Sequence, residues 1–229
     1  MTTPRFLAWV RGVFFQGTSD MTQFQKRNFI GVAAGMALAV GLLVAKNVFF
    51  HDRVMNYTYA PTPSEAVLVD NGGEGEILIF GSLSCPHCAA QMTEDLPEIL
   101  DKAPGKVIYR NVIKQEFRAT SLFSVMLSCI PSEERGMAVR NAYARQDDLF
   151  SMTQSTVFEA LLEVSDVPSE DVVRSCMEEV AEGDTEAKIA GMLEAYQEQM
   201  RTLKIQATPT IVMDSRRMIG RRSAEDLGL

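Results

Sequence analysis

Cys85-Pro86-His87-Cys88 places two thiols three positions apart. Two cysteines at that spacing can close a small disulfide and reopen it, moving two electrons each way. The flanking residues say which thiol attacks. Upstream, Ile77-Leu78-Ile79-Phe80 is a short apolar run ended by Gly81-Ser82-Leu83-Ser84; downstream, Ala89 to Leu96 has a helical pattern. The local reading is strand, tight turn, Cys-x-x-Cys, helix. Pro86 suits the first helical position, because its missing N–H would be unpaired there anyway. Cys85 then meets the first free N–H groups and the positive end of the helix dipole. Both stabilise a thiolate, which is the attacking form of a cysteine. His87, when protonated, adds a further positive charge. Cys85 is therefore the expected attacking thiol and Cys88 the resolving thiol. The competing readings are a passive disulfide and a copper or zinc site that includes His87. Zinc sites usually gather three or four ligands, and the chain has no second Cys/His cluster, so no metal is expected.

Positioning these thiols calls for a sheet and helices. Glu76–Gly81 is the expected central strand, and Lys106–Ile113 a second one. Between them runs a helix over Cys85–Lys102, with Ala89, Met92, Leu96, Ile99 and Leu100 on one face and a kink at Pro97. Strand, helix, strand at this spacing implies parallel pairing and a right-handed crossover. A helical region follows over about 117–203. In it Leu122, Val125, Met126, Cys129 and Ile130 share a face, and Ser132 is the expected N-cap of the next helix. A further helix starts at Val167-Pro168-Ser169-Glu170-Asp171, with Val172, Val173, Cys176, Met177 and Val180 turned inward; the last runs from Thr185 to Leu203. Thr210–Met213 and Met218–Ile219 form an expected hairpin around residues 214–217, and Arg221–Leu229 has room only for a helical stub.

At Phe80-x-Ser82-x-x-Cys85-Pro86-His87-Cys88 and at Thr208-Pro209-Thr210, the sequence resembles the DsbA-type thiol–disulfide oxidoreductases of the thioredoxin superfamily. The likeness covers roughly residues 65 to 220. It implies an α/β thioredoxin-like fold carrying a helical insertion. It also implies that Pro209 is cis, facing the active disulfide, and that the Thr208 backbone is free to pair with a substrate strand. The alternative for Thr208 and Pro209 is a trans proline opening an edge strand. One departure from the family stands out. The family carries a buried acid six residues before the first active cysteine, and here that position is Ile79. Glu76 or a water would have to move the Cys88 proton instead. The resemblance implies reduced exported proteins as substrates, no cofactor, and a quinone-linked membrane partner that reoxidises the pair.

Charge is unevenly spread. Residues 1–53 hold six Lys/Arg and two acids; the rest hold 16 and 28, within a formal net charge of −8 over 229 residues. So acidic a domain is a poor nucleic-acid binder. Phe29 to Phe50 is an almost unbroken apolar run, about 33 Å long as a helix, enough to cross a bilayer core. Arg5, Arg11, Lys26 and Arg27 precede it, so the N-terminus is expected in the cytoplasm and the remainder outside. The expected layout is a basic tail 1–28, an anchor 29–50, a linker 51–75 holding a short edge strand at Ala66–Val69, and a catalytic domain 76–229. That makes a single-pass protein of the bacterial inner membrane with its C-terminal domain in the periplasm. A signal peptide cleaved near Ala37-Leu38-Ala39 is the rival reading. Residues 5–15, apolar and basic, are either a membrane-surface segment or a loose tail.

Outside the cytoplasm disulfides persist, and an even cysteine count favours pairing. Cys129 and Cys176 are therefore expected to form a structural bridge. Together these readings point to an extracytoplasmic oxidase of protein thiols acting through Cys85 and Cys88, with His87 and Pro86 assisting and Thr208 and Pro209 binding substrate. The alternatives are a reductase or isomerase of the same fold and a non-enzymatic periplasmic metal chaperone.

Overall fold

The computed structural model describes residues 61–113, 118–150, 157–182 and 185–229. The expected basic tail 1–28, the expected anchor 29–50 and the first part of the expected linker lie outside the described residues. Five strands form one sheet: β1 (Ala66–Asp70), β2 (Glu76–Gly81), β3 (Lys106–Asn111), β4 (Thr210–Met213) and β5 (Arg216–Ile219), in the spatial order β1-β3-β2-β4-β5. β2 and β3 are parallel, in register from Glu76↔Lys106 to Gly81↔Asn111; every other pair is antiparallel. The expected strand–helix–strand unit is thus present. β3 stops at Asn111, short of the expected Ile113.

Past Glu76, β2 is apolar because it is buried on both faces. Ile77 and Ile79 point into the larger core, with Met92, Leu96, Ile99, Phe123, Leu161 and Val173. Leu78 and Phe80 point the other way, to a smaller core with Ile108, Val112, Leu203 and Val212. The residues of Ala66–Val69, read as an edge strand inside the linker, are part of the sheet: β1 pairs with β3 at its outer edge.

The helix after Cys85 is not one kinked rod. It comprises α1 (Pro86–Ala90), a π turn over Gln91–Asp95, and α2 (Leu96–Lys102). The Leu96 N–H donates to the Gln91 carbonyl, five residues back. Pro97 cannot donate, and its ring would crowd an ordinary preceding turn; widening that turn by one residue relieves both problems. Met92, Leu96 and Ile99 remain on the buried face, with Ala89 and Leu100 packed against it.

Among the described residues, six helices lie between β3 and β4: α3 (Arg118–Cys129), α4 (Ser132–Ala144), α5 (Gln146–Phe150), α6 (Val157–Ser165), α7 (Glu170–Glu182) and α8 (Thr185–Thr202). Two details depart from expectation. Pro131, not Ser132, precedes the first turn of α4, and the Ser132 hydroxyl donates to Glu133 at 3.0 Å instead of capping. Pro131 supplies the extended entry by its fixed φ, which moves Ser132 inside the helix. Val172 is 58% exposed, while Val173 is fully buried. Val173, Cys176, Met177 and Val180 follow the i, i+3, i+4, i+7 stripe, and Val172 falls one step off it.

α3 and α7 are joined by a disulfide between Cys129 and Cys176, 47 residues apart. Closing so long a loop restricts the unfolded chain. Replacing both cysteines by Ala is expected to cost roughly 4 kcal/mol, read as a lower urea midpoint by circular dichroism. An unchanged midpoint would rule out a structural role for the bridge.

β4 and β5 are linked by Asp214 and Ser215, with φ of 50° and 59°. Two left-handed loop residues match the twist of the paired strands. The loop is therefore shorter than the expected 214–217, and Arg216 and Arg217 enter β5 opposite Met213 and Val212. The helical stub is α9 (Ala224–Leu227), started by a capping box in which Ser223 and Asp226 bond each other's backbone N–H.

Candidate active site

β2 ends at Gly81, and the chain turns so that the Cys85 N–H donates to the Ser82 carbonyl at 2.9 Å. Cys85 keeps an extended backbone, with φ −106° and ψ 114°, and Pro86 opens α1. The Cys85 carbonyl accepts from the N–H groups of Cys88 (2.9 Å) and Ala89 (3.2 Å), so Cys85 is the last residue before the helix. Its sulfur sits where the first unpaired N–H groups point.

Both Cys85 and Cys88 are free thiols. Their surroundings differ. Cys88 lies deeper, at 1% exposed against 8% for Cys85. The Cys85 thiol is pulled down from an ordinary 9.0 to about 5. The hydrogen bond donated by Cys88 does most, against the opposing effect of burial, with help from the Thr208 side chain and the N–H groups of Cys88 and His87. Cys88 moves the opposite way. Giving its proton to Cys85, and then burial, hold it well above the ordinary range. One sulfur is thus poised as an anion and the other as its proton donor.

His87 is exposed, and what it contributes to the Cys85 thiolate is its backbone N–H. Pro86, also exposed, serves by opening the helix.

Thr208 and Pro209 approach from the strand opposite. The Thr208–Pro209 peptide is cis, and the Thr208 carbonyl lies 3.3 Å from the Cys85 sulfur, where it accepts the proton of the thiol form. The Pro209 carbonyl accepts from the Gly220 N–H at 2.8 Å, and the Thr210 hydroxyl donates to the Ala207 carbonyl at 2.6 Å, so the segment is held on both sides. Cys129 and Cys176 form their own disulfide and are separate from this pair.

Ile79 is 1% exposed and offers no titratable group below Cys88. Glu76 does not replace one. It stands at the start of β2, paired with Lys106, about 16 Å of strand away from Gly81.

Several residues at the site escaped the sequence reading. Gln146, 4% exposed, donates its side-chain N–H to the carbonyls of Leu83 (2.5 Å) and Cys85 (3.2 Å). It reaches the turn from α5, 61 residues away in the chain from Cys85, and no local pattern marks it. Gln91, fully buried in the π turn, bonds both the N–H and the carbonyl of Arg222, tying the C-terminal segment to the active-site helix. Tyr109 and Tyr143 are buried behind Gly81. Among the described residues, no group of three or more His, Cys, Asp and Glu side chains is placed to hold a metal.

Such a pair can exchange disulfides with another molecule. A thiolate held down to about 5 is a good leaving group as well as a nucleophile at neutral pH. Solved structures with this fold include the thiol-disulfide exchange protein alpha-DsbA2 from Wolbachia pipientis, 15% identical with a TM-score of 0.54, covering 80% of this chain and 91% of that one. The MdbA protein of Actinomyces oris, a thiol-disulfide oxidoreductase, is 16% identical with a TM-score of 0.53, over 68% and 77%. DsbA of Chlamydia trachomatis is 17% identical with a TM-score of 0.51, over 76% and 92%. No curated protein sequence matches the chain. A thioredoxin family model matches residues 71–228. Since that match spans well over half of the 229 residues, the chain belongs to the thioredoxin family.

Proposed function

We propose that the protein is a membrane-anchored, extracytoplasmic thiol–disulfide oxidoreductase that introduces disulfides into exported proteins. The observation that carries this is the opposite displacement of the two thiols, Cys85 down and Cys88 up. In the oxidised enzyme Cys85 and Cys88 form a disulfide. A substrate thiolate attacks the Cys85 sulfur, a mixed disulfide forms, and Cys88 leaves as a thiolate and takes a proton. The substrate's second thiolate then attacks its own sulfur in the mixed disulfide, and Cys85 leaves as a thiolate. The substrate has lost two electrons and the enzyme has gained them. Thr208 and Pro209 hold the substrate strand beside Cys85. A quinone-linked membrane partner takes the electrons away and restores the disulfide.

A stabilised thiolate favours the reduced enzyme, so the pair is oxidising. The reduction potential of Cys85–Cys88 against glutathione tests the direction. A value less negative than about −200 mV is expected; one near about −270 mV would assign the chain to the reductases. Copper or zinc bound in stoichiometric amount after purification would favour the metal chaperone instead.

The proposed layout keeps residues 1–28 in the cytoplasm, 29–50 in the bacterial inner membrane and 51–229 in the periplasm, where the stretch 51–75 leads into the catalytic domain and lends it strand β1. It rests on the apolar run and the basic residues before it. The protein is expected to stay in carbonate-washed membranes and to be digested by protease added to spheroplasts. Recovery in the soluble periplasmic fraction would mean that the anchor is cleaved.

A further inference from the structure

The Cys88 thiolate has few supporters. Donation to Cys85 and burial both oppose it, and the strongest favourable group is the Ser82 backbone N–H. That N–H points at the Cys88 sulfur from 3.5 Å. It belongs to the same peptide unit as the Gly81 carbonyl. On the other side of that unit, the carbonyl accepts two hydrogen bonds, from the Val112 N–H at 2.6 Å and from the Tyr109 hydroxyl at 3.1 Å. A donor on the carbonyl oxygen polarises an amide and strengthens its N–H as a donor.

The hydroxyl on that carbonyl is oriented from behind. Tyr109 and Tyr143 have their oxygens 2.9 Å apart and their rings edge to face, 5.7 Å between centroids. The Tyr109 hydroxyl also lies 3.0 Å from Asn111 Oδ1. Asn111 donates its own N–H groups to the Thr120 carbonyl and the Ser124 hydroxyl, which turns its oxygen towards Tyr109. Tyr109 has one proton, shared between Gly81 and Asn111, so the Tyr143 proton is the one that joins the two tyrosines. Both phenols are fully buried, and burial keeps them protonated well beyond neutral pH. Both also lie within electrostatic reach of Cys88 and Cys85. Gly81 makes the approach feasible: a Cβ there would stand 2.8 Å from a Tyr109 ring carbon and 2.8 Å from the Tyr143 hydroxyl.

We propose that Tyr109, oriented by Tyr143, is a positioning residue for Cys88, acting through the Gly81–Ser82 peptide to stabilise the Cys88 thiolate. The chain is Tyr143 hydroxyl, Tyr109 hydroxyl, Gly81 carbonyl, Ser82 N–H, Cys88 sulfur. It reaches the resolving cysteine from the face where Ile79 supplies only hydrocarbon. The helical insertion thereby takes part in the redox centre, since Tyr143 comes from α4. The role rests on the oxidoreductase reading: Cys88 leaves as a thiolate when a substrate attacks Cys85, and attacks as a thiolate when the disulfide is remade.

The test isolates each thiol in the full-length chain. In a Cys85→Ala background, with the Cys129–Cys176 bridge intact, iodoacetamide alkylation of Cys88 is followed by mass spectrometry from pH 7 to 10. Tyr109→Phe and Tyr143→Phe are each expected to slow Cys88 alkylation two- to fivefold at pH 8 and to move its pH profile upward. In a Cys88→Ala background the same substitutions are expected to leave Cys85 alkylation within 1.5-fold. Circular dichroism checks the fold, and Tyr143→Phe carries the test if Tyr109→Phe does not fold. A Cys88 profile unmoved by the phenylalanine in folded protein overturns the proposal, as does an equal slowing of Cys85. Neither readout depends on oxidase activity, so an inactive enzyme would refute the function without touching this result.

Discussion

The reduced protein is expected to gain stability on the oxidised protein as pH rises from 5 to 8. The Cys85 thiol is depressed from 9.0 to about 5 in the folded state, so the folded reduced form has lost a proton that the unfolded form still carries. Stability rises with pH wherever the unfolded state binds more protons. The contribution is fully present above the unfolded value and is lost as pH falls through the folded one. Between these limits the gap between the two redox forms grows by about 1.4 kcal/mol per pH unit, or roughly 3–4 kcal/mol from pH 5 to 8. The oxidised form has no thiolate at this position and no such slope. Its short Cys85–Cys88 loop restrains the unfolded chain by roughly 2 kcal/mol at every pH, which offsets the gap without tilting it. Above the ordinary value of 9.0 the slope reverses, because Cys88 is raised in the folded state and the unfolded chain there loses a proton that the folded one keeps. Thermal unfolding of both redox forms of the full chain, followed by circular dichroism, should show their melting temperatures diverging by roughly 10 °C over this window in favour of the reduced form. Parallel pH dependences would show that no thiolate is stabilised at Cys85, and the oxidase assignment would fall with it. His87→Ala keeps the backbone N–H that helps to lower Cys85, so most of the slope is expected to remain.

Removing either thiol should give opposite kinetic outcomes. Cys85→Ser deletes the sulfur that a substrate thiolate attacks, and a hydroxyl cannot take its place in disulfide exchange. Oxidation of a dithiol peptide is expected to fall by roughly three orders of magnitude or more, to the uncatalysed background. Cys88→Ser keeps the poised sulfur of Cys85 near the surface. It also removes the internal attacker that would expel a bound partner. That variant is expected to accumulate mixed disulfides with substrates through Cys85, visible as slower bands on non-reducing gels that collapse on adding reductant. Mixed disulfides that form through Cys88 in the Cys85→Ser protein would reverse the assigned roles. The geometry argues against that outcome, since a protein substrate meets Cys85 first, 8% exposed against 1% for Cys88.

The thiol pair and its immediate frame were legible in the chain because they are encoded locally. Strand, turn, Cys85, a proline at the first helical position and an apolar helix face form a continuous stretch, and each step follows from backbone sterics or periodicity. The β2–β3 pairing was legible for the same reason: only one short crossover separates the two strands. The family likeness supplied the cis peptide before Pro209, which no local rule demands, since cis bonds are otherwise rare. Elsewhere local rules yielded to neighbours. The kink expected at Pro97 is taken up by a π turn, in which Gln91 is held by Arg222 from the other end of the domain. Ser132 was read as a cap, but Pro131 had already set the entry to the helix. The partners that tune the site are long-range. Gln146 holds the carbonyl of Cys85 across 61 residues, and Tyr143 meets Tyr109 across 34. Periodicity can mark such side chains as inward-facing, but it cannot say which carbonyl or hydroxyl they meet. That depends on how the helices after β3 pack onto the sheet, whereas the thiolate preference of Cys85 comes mostly from its chain neighbours Cys88 and His87, with Thr208 brought within reach of its sulfur only by folding.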